Sequence, residues 1–295
     1  MIVDNSGKGV ESPNSAYEAN QETWLRSRVA CGGERMVKEY DNIVDSTLTS
    51  SSKNLLLPFS PSMSIQQYNF YKSEAEWPGI VAQYAKTIVG GLLRKQPTLV
   101  LPKDVPEGAY QWIMDAFTQD SSPLVSFLDS ALWEEMNTSR AWVFVDYPVI
   151  PDASTLTTDD FRKFKPFPVL LKAESIVNWK VEVDKEGVQQ LTRLIIRGFT
   201  EKFDENNEFH PKNVDTVWVH EIKDDYYQIR EYQQSTASDK VTMSGGTKDV
   251  NTGSGTFDLV KTNTNILMNG ERLKIIPAWP LNGSIDVVER MLLPI

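Results

Sequence analysis

The sequence has little of the chemistry that enzymes and metal sites use, since its 295 residues include one cysteine and two histidines. The single thiol, Cys31, excludes an intrachain disulfide and a thiolate-rich metal site, and it fits a reducing compartment. His210 and His220 leave few partners for a zinc ligand set or a catalytic base. No nucleophile or second ligand stands at a matching spacing from either histidine. We therefore interpret both as structural, and we predict no catalytic residue, no cofactor and no metal site.

Long apolar runs are also missing. The most apolar stretch, residues 80–93, is interrupted by Gln83, Tyr84, Lys86 and Thr87, so it is too polar to cross a membrane. Residues 1–20 are polar and lack the basic start and apolar segment of a signal peptide. We expect a protein that is made and used inside the cell, without a membrane partner.

No phosphate-binding loop is recognisable. Four glycines, Gly245, Gly246, Gly253 and Gly255, fall in one polar segment. A P-loop, however, ends in Gly-Lys-Ser/Thr between a strand and a helix, and this ending does not occur in the sequence. We interpret the segment as a flexible loop and predict no nucleotide binding.

Three pairs of adjacent acids raise the question of a divalent cation site or of acid–base chemistry. The pairs are Glu134 with Glu135, Asp159 with Asp160, and Asp224 with Asp225. Adjacent side chains point in different directions on helices and on strands. We therefore interpret these acids as solvated faces and turn formers.

The overall charge is acidic, with 30 Lys and Arg against 40 Asp and Glu and a net charge of -10. Such a chain repels polyphosphate unless its basic residues are segregated on one face. The richest basic stretch, residues 162–165, is short and follows two acids. We predict no sequence-specific binding to DNA.

Hydrophobic periodicity predicts helices in the first part of the chain. The clearest helix spans roughly residues 73–94, where apolar residues recur at three- and four-residue steps and predict one buried face. That face comprises Trp77, Ile80, Val81, Tyr84, Ile88, Val89 and Leu92. Weaker patterns predict helices near residues 15–28, 34–40 and 122–137.

Strand patterns follow. Residues 141–147 form a continuous apolar run that predicts a strand covered on both faces. Further strands are predicted at residues 176–183, 191–197, 214–222 and 226–232, with weaker signals at 257–260 and 272–276. Asp and Gly residues between the runs favour tight turns and hence antiparallel pairing.

The sequence thus predicts an α+β fold in which N-terminal helices precede a mainly antiparallel, β-rich region. We expect a helical part at residues 1–137, a β-rich part at 138–280 and the start of a further helical region at 281–295. Residues 235–255 are rich in Ser, Thr, Gly and Asp and are predicted to form a flexible loop within the β-rich part.

Four blocks in the chain resemble, in order and spacing, a portal-like family of tailed phages and prophages. They are WLRSRVACGGERMVK at residues 24–38, YNFYKSEAEWPGIVAQYAKTIVGGLLRKQP at 68–97, SRAWVFVDYP at 139–148 and PVLLKAESIVNW at 168–179. The chain departs from the family pattern just before Gly33, and the segment 235–255 looks like an insertion. Family members continue beyond the equivalent of Ile295, so the resemblance implies an N-terminal part of a portal protein, whether a fragment, a shortened product or one part of a split protein.

This resemblance implies a structural protein and not an enzyme. Portal subunits form a homo-oligomeric ring, usually dodecameric, at one capsid vertex, where the ring acts in DNA packaging and ejection as the head–tail connector. The implied partners are terminase, capsid and tail adaptor proteins, together with double-stranded DNA that passes through without sequence-specific binding. The implied location is the virion, and the host cytoplasm during assembly.

Subunits of a ring contact each other through two different surfaces. Among the eight tryptophans, Trp77 and Trp179 lie in periodic segments and are our candidates for subunit packing. Two alternatives stay open. One is another phage head–tail adaptor or minor capsid protein. The other is an uncharacterised enzyme, for which His220 would have to converge with Glu221 or Asp225 in a deep pocket.

Overall fold

A computed structural model describes residues 9–39, 56–57, 59–60, 62–103, 108–146, 166–183, 187–204, 207–234, 240–243, 246–249, 257–263, 267–268 and 271–281. The chain divides into two compact units. The first, which we call the sheet unit, combines Met1–Glu18 with Glu174–Pro277. The second, which we call the helical unit, combines Ala19–Ala173 with Ala278–Ile295. The predicted helical start at residues 281–295 lies outside the described residues, apart from residue 281.

Helices occupy the N-terminal half of the described chain. They are α1 (Ser15–Cys31), α2 (Glu34–Glu39), α3 (Ile65–Glu74), α4 (Ile80–Leu92), α5 (Ala109–Asp115) and α6 (Leu124–Thr138). α3, which the sequence analysis did not resolve, begins with a reciprocal cap. The Ser64 hydroxyl accepts from the backbone N–H of Gln67 at 3.3 Å, and the Gln67 side chain accepts from the Ser64 N–H at 2.8 Å.

The predicted helix over residues 73–94 is wrong at its N-terminal end. α4 begins only at Ile80, after Gly79 in a left-handed conformation with φ of 64°. Pro78 therefore precedes the helix. A proline steers the residue before it away from helical angles, so Trp77 interrupts the predicted helix. The predicted end is close to the observed one.

Strands dominate the rest of the described chain. They are β1 (Ala141–Asp146), β2 (Phe167–Lys172), β3 (Ile176–Val183), β4 (Gln189–Asp204), β5 (Asn207–Lys223), β6 (Tyr226–Gln234), β7 (Lys240–Met243), β8 (Gly246–Asp249), β9 (Phe257–Asn263), β10 (Leu267–Met268), β11 (Glu271–Arg272) and β12 (Ala278–Pro280). The sheet unit contains an antiparallel sheet in the order β3-β4-β5-β6-β9. The helical unit contains the antiparallel sheet β12-β1-β2. The predicted α+β class, with helices before a mainly antiparallel region, is confirmed.

Within the segment predicted as a flexible loop, residues 235–255, the structure describes a short antiparallel hairpin. β7 pairs with β8 through four residue pairs, from Lys240 with Asp249 to Met243 with Gly246. The hairpin is a correction to the loop prediction at these residues, and the rest of the predicted loop lies outside the described chain.

The turn between β5 and β6 is confirmed and has a clear local cause. Lys223 pairs with Tyr226, so only Asp224 and Asp225 connect the strands. Both have positive φ, 52° and 62°. This is the backbone of a type I′ turn, which matches the twist of paired strands, and Asp is among the few residues that tolerate it.

The central strands of the five-stranded sheet are buried on both faces. Leu194 and Ile195 are neighbours on β4, so their side chains point to opposite faces, yet they are 0% and 7% exposed. Thr216 and Val217, neighbours on β5, are both 0% exposed. In the helical unit, Trp142 on β1 is fully buried, as predicted for a strand covered on both sides.

Candidate subunit interface

The apolar surface of α4 is only half covered within its own unit. Ala85 and Val89 are buried, at 5% and 3% exposure. Four larger apolar side chains of the same helix are exposed, and they are Ile80 (67%), Val81 (52%), Tyr84 (68%) and Leu92 (61%). The prediction of a single buried face that includes these residues is therefore wrong. The apolar arc covers more of the helix surface than one packing partner can bury.

The covered side of α4 faces α6, which explains why the two sides differ. Small side chains at Ala85 and Val89 let the helices approach closely, and the Lys86 ammonium lies 5.7 Å from the centre of the Trp133 ring on α6. The exposed side carries the longer apolar side chains. We call Ile80, Val81, Tyr84 and Leu92 together the α4 face.

The preceding helix, α3, shows the same division between an anchored and an exposed side. Tyr68 is 3% exposed, donates its hydroxyl to the Leu57 carbonyl at 2.7 Å and packs edge to face with Phe59 at 5.1 Å. On the other side Phe70 is 68% exposed and Ile65 is 51% exposed. The block at residues 68–97 thus combines internal anchors with uncovered apolar side chains.

Trp77, one of the two predicted packing residues, is held mainly by its own chain. Its indole N–H donates to the Ala30 carbonyl at 3.0 Å. The ring packs against a buried cluster formed by Val29, Val37 and Leu57. Trp77 therefore fixes the segment before α4 and leaves the exposed apolar area to the residues of the helix itself.

Trp179, the other predicted packing residue, lies inside the sheet unit. It is 5% exposed on β3 and stands opposite Leu194 of β4, which is fully buried. The indole ring of Trp179 consequently offers almost no surface to a neighbouring subunit. The structure assigns Trp179 to the core of its own unit.

The sheet unit carries a second uncovered apolar surface, on a long hairpin that the sequence patterns missed. β4 pairs with β3 only as far as Ile196, and β5 pairs with β6 only from Thr216 onward. Beyond these points β4 and β5 continue to pair with each other as far as Asp204 with Asn207, and no third described strand joins them. We call residues 199–204 and 207–215 the hairpin arm.

Three phenylalanines are exposed on the hairpin arm, namely Phe199 (67%), Phe203 (63%) and Phe209 (81%). Phe199 and Phe203 stand four residues apart on β4, and the register of the strand pair shifts between Lys202 and Asp204, at the position of Phe203. At the base of the arm Arg197 and Asp215 form an ion pair at 3.1 Å. The spacing of the phenylalanines was the one signal in the sequence that pointed to this surface.

The possible catalytic residues do not come together. His220 is 5% exposed, its Nδ1 lies 2.6 Å from the Tyr227 hydroxyl, and burial lowers the pKa of the imidazole to about 3. Glu221 is the next residue on β5, so it points to the opposite face of the sheet. Asp225 is exposed in the β5–β6 turn. The His220 side chain is therefore a neutral core group that does not meet either acid.

Glu221 is occupied by structural partners on its own face of the sheet. Arg230 lies at 2.9 Å and 3.0 Å from the two carboxylate oxygens, and Gln228 donates to one of them at 2.6 Å. These contacts fix the carboxylate between β5 and β6. The side chain of His210, on the hairpin arm, lies outside the described part of the structure.

A cavity of about 320 Å³ in the helical unit is lined by Trp112, Ala116, Thr118, Gln119, Ser121, Pro166 and Phe167. None of these side chains is ionisable at neutral pH, so the cavity provides no acid or base for catalysis. Among the described side chains, no group of His, Cys, Asp and Glu is placed to hold a metal ion. Within the described ranges, no helix has the length and apolar character that a membrane crossing requires.

Comparison of the chain with models of known protein families and with curated proteins finds no match. The features of the chain that bear on its function are the four sequence blocks and the two exposed apolar surfaces, the α4 face and the hairpin arm.

Proposed function

We propose that this protein is a portal-like structural subunit that assembles into a ring at a phage capsid vertex, through which DNA is packaged and ejected. Its partners are further copies of itself, the terminase, the capsid protein and tail adaptors, and double-stranded DNA passes through the ring without sequence-specific contacts. The ring is dodecameric, and the protein acts in the virion and in the host cytoplasm during assembly.

The observation that supports this proposal most is the α4 face. It lies within residues 68–97, the longest of the blocks that resemble the portal-like family. From the exposed fractions of its side chains, the α4 face presents roughly 400 Å² of apolar surface. An apolar surface of this size is in the range of the largest patches that monomeric proteins expose, and such patches are often functional, because exposing them to water is unfavourable.

The charge and the polar chemistry agree with a passage for DNA. A net charge of -10 limits the number of phosphate contacts, and such contacts would bind DNA with a salt-dependent affinity that opposes sliding. The P-loop ending is missing from the sequence, as fits a ring whose ATP hydrolysis belongs to the terminase.

Native mass spectrometry and negative-stain imaging of the whole chain test the proposal. We expect closed rings of identical subunits. Replacement of Ile80 and Tyr84 together by serine should dissociate the rings, because both side chains are about two-thirds exposed in the isolated chain and become buried on assembly. Circular dichroism verifies that the double variant is folded.

Val183→Ser is the matched control, since this valine is 62% exposed but belongs to β3 of the sheet unit and not to the α4 face. It should leave the rings intact. A folded wild-type chain that stays monomeric at every concentration would overturn the proposal. A small, fixed oligomer without ring closure would favour the alternative of a head–tail adaptor or minor capsid protein.

A further inference from the structure

The two exposed apolar surfaces of the protein carry opposite charge. The hairpin arm, residues 199–204 and 207–215, contains four acidic residues and two lysines. The segment around α4, residues 77–103, contains four basic residues and no acid. Lys86 lies on the side of α4 that faces α6, and the other three, Arg94, Lys95 and Lys103, follow the last residue of the helix. Opposite charge at the rim of two apolar surfaces favours their association and speeds their encounter.

The two surfaces also match in apolar area. The exposed parts of Phe199, Phe203 and Phe209 amount to about 400 Å², close to the value for the α4 face. A contact between one arm and one α4 face would bury on the order of 800 Å² of apolar surface, about half the total area of a standard protein interface. Exposed phenylalanines opposite aliphatic side chains form the dry centre of such an interface, and the charged residues form its rim.

We propose that the hairpin arm of one copy docks on the α4 face of a neighbouring copy. This inference rests on the proposed function, for which it names the two surfaces in contact. A cyclic ring needs a heterologous interface, in which one surface of each subunit contacts a different surface of the next. The arm is part of the sheet unit and the α4 face is part of the helical unit of the same chain. Every copy therefore carries both halves of the interface.

Charge also selects this pairing over the symmetric ones. Two arms in contact would bring eight acidic residues together, four from each, and the charged residues that two α4 segments bring together would all be basic. Like charges opposed across an interface are unfavourable, whereas the arm and the α4 face neutralise each other. The heterologous contact is therefore preferred over an isologous dimer.

Mixed single-cysteine variants test the contact directly. In a Cys31→Ser background, one preparation carries Phe203→Cys and the other carries Tyr84→Cys. The two thiols are on different chains, so a disulfide between them forms only across an interface between copies. We expect the mixture to give a covalent dimer under mild oxidation at a level at least about tenfold above either preparation alone. Tyr84→Cys mixed with Val183→Cys is the matched control and should not cross-link.

A charge exchange provides a second measurement that does not depend on thiol geometry. Replacing Arg94 and Lys95 by glutamate should weaken assembly by about tenfold or more, because the segment then carries two basic and two acidic residues and loses its net attraction to the arm. Adding a second preparation with Glu201→Lys and Glu208→Lys should restore mixed assemblies, which analytical ultracentrifugation detects.

The outcomes separate this inference from the proposed function. If rings form without the cross-link between positions 203 and 84, and if the charge exchange does not change their assembly, the docking of the arm is refuted. The portal proposal would still stand. A specific cross-link in an assembly that is not a ring would support the docking and contradict the portal proposal. A wild-type chain that never associates would overturn both.

Discussion

The buried His220 predicts a dependence of stability on pH that is set by one side chain. Burial holds the imidazole neutral in the folded chain, with its pKa lowered to about 3 from a usual value of 6.5. In the unfolded chain the imidazole is in water and titrates near its usual value. Below a pH of about 6.5 the unfolded state therefore binds a proton that the folded state does not bind.

The magnitude follows from this difference in proton binding. The contribution of His220 is constant above the unfolded-state pKa, and it falls by about 1.4 kcal/mol for each pH unit between about 6.5 and 3. At a pH of about 5 the free energy of unfolding is lower by about 2 kcal/mol than it would be with a neutral residue at this position. That is a large part of the stability of an ordinary domain.

The measurement compares the wild-type protein with His220→Gln by urea unfolding, followed by circular dichroism between about pH 7 and pH 5. The glutamine keeps a hydrogen-bonding group for the Tyr227 hydroxyl but does not titrate. Carboxylates contribute equally to both proteins, so the difference between the two unfolding free energies isolates His220. This difference should be constant above a pH of about 6.5 and shrink below it. Parallel curves over the whole range would refute a neutral, buried His220.

Two further predictions concern packing inside the units. The ion pair of Arg28 with Glu134 has an N–O distance of 2.6 Å and side chains that are 19% and 10% exposed, so Glu134→Gln should lower the unfolding free energy by about 2 kcal/mol. Arg28→Met with Glu134→Leu should cost less than the sum of the two single changes, and additive losses would contradict the coupling. A Cβ on Gly198 would lie 3.0 Å from the Trp218 ring, so Gly198→Ala should cost about 1–2 kcal/mol and alter tryptophan fluorescence. Gly90→Ala, with no atom within 4 Å, should stabilise α4 slightly, and equal effects of the two changes would contradict the packing argument.

Prediction from sequence succeeded where the structure is determined by the local sequence pattern. It failed where the structure depends on which other segment packs against an element. The strand at β1 and the turn at Asp224 and Asp225 follow from apolar runs and from residues that tolerate positive φ. The burial of α4 was predicted wrongly because periodicity shows that a face is apolar and does not show that anything covers it. Ile80 and Val89 both belong to the predicted face, yet Ile80 is exposed and Val89 is buried.

At the candidate interface, too, prediction from sequence succeeded in part and failed in part. The block at residues 68–97 directed attention to α4, but Trp77 and Trp179 were chosen by residue type, and both are held mainly within their own chain. The hairpin arm was not predicted, because β4 and β5 extend beyond β3 and β6, their neighbours in the sheet. How far two strands pair past a third is a property of the sheet and not of either segment.

The amino-acid sequence by itself determined the α+β class, the order of helices before strands and the scarcity of groups for catalysis, because composition and local periodicity are properties of the chain alone. Tertiary structure decided which apolar surfaces stay exposed. It also decided that residues Met1–Glu18 join the sheet unit, where the Asn14 N–H donates to the Val177 carbonyl at 3.0 Å, and that β12 pairs with β1 across more than a hundred residues of sequence. These contacts join distant segments, and no local pattern encodes which of them will meet.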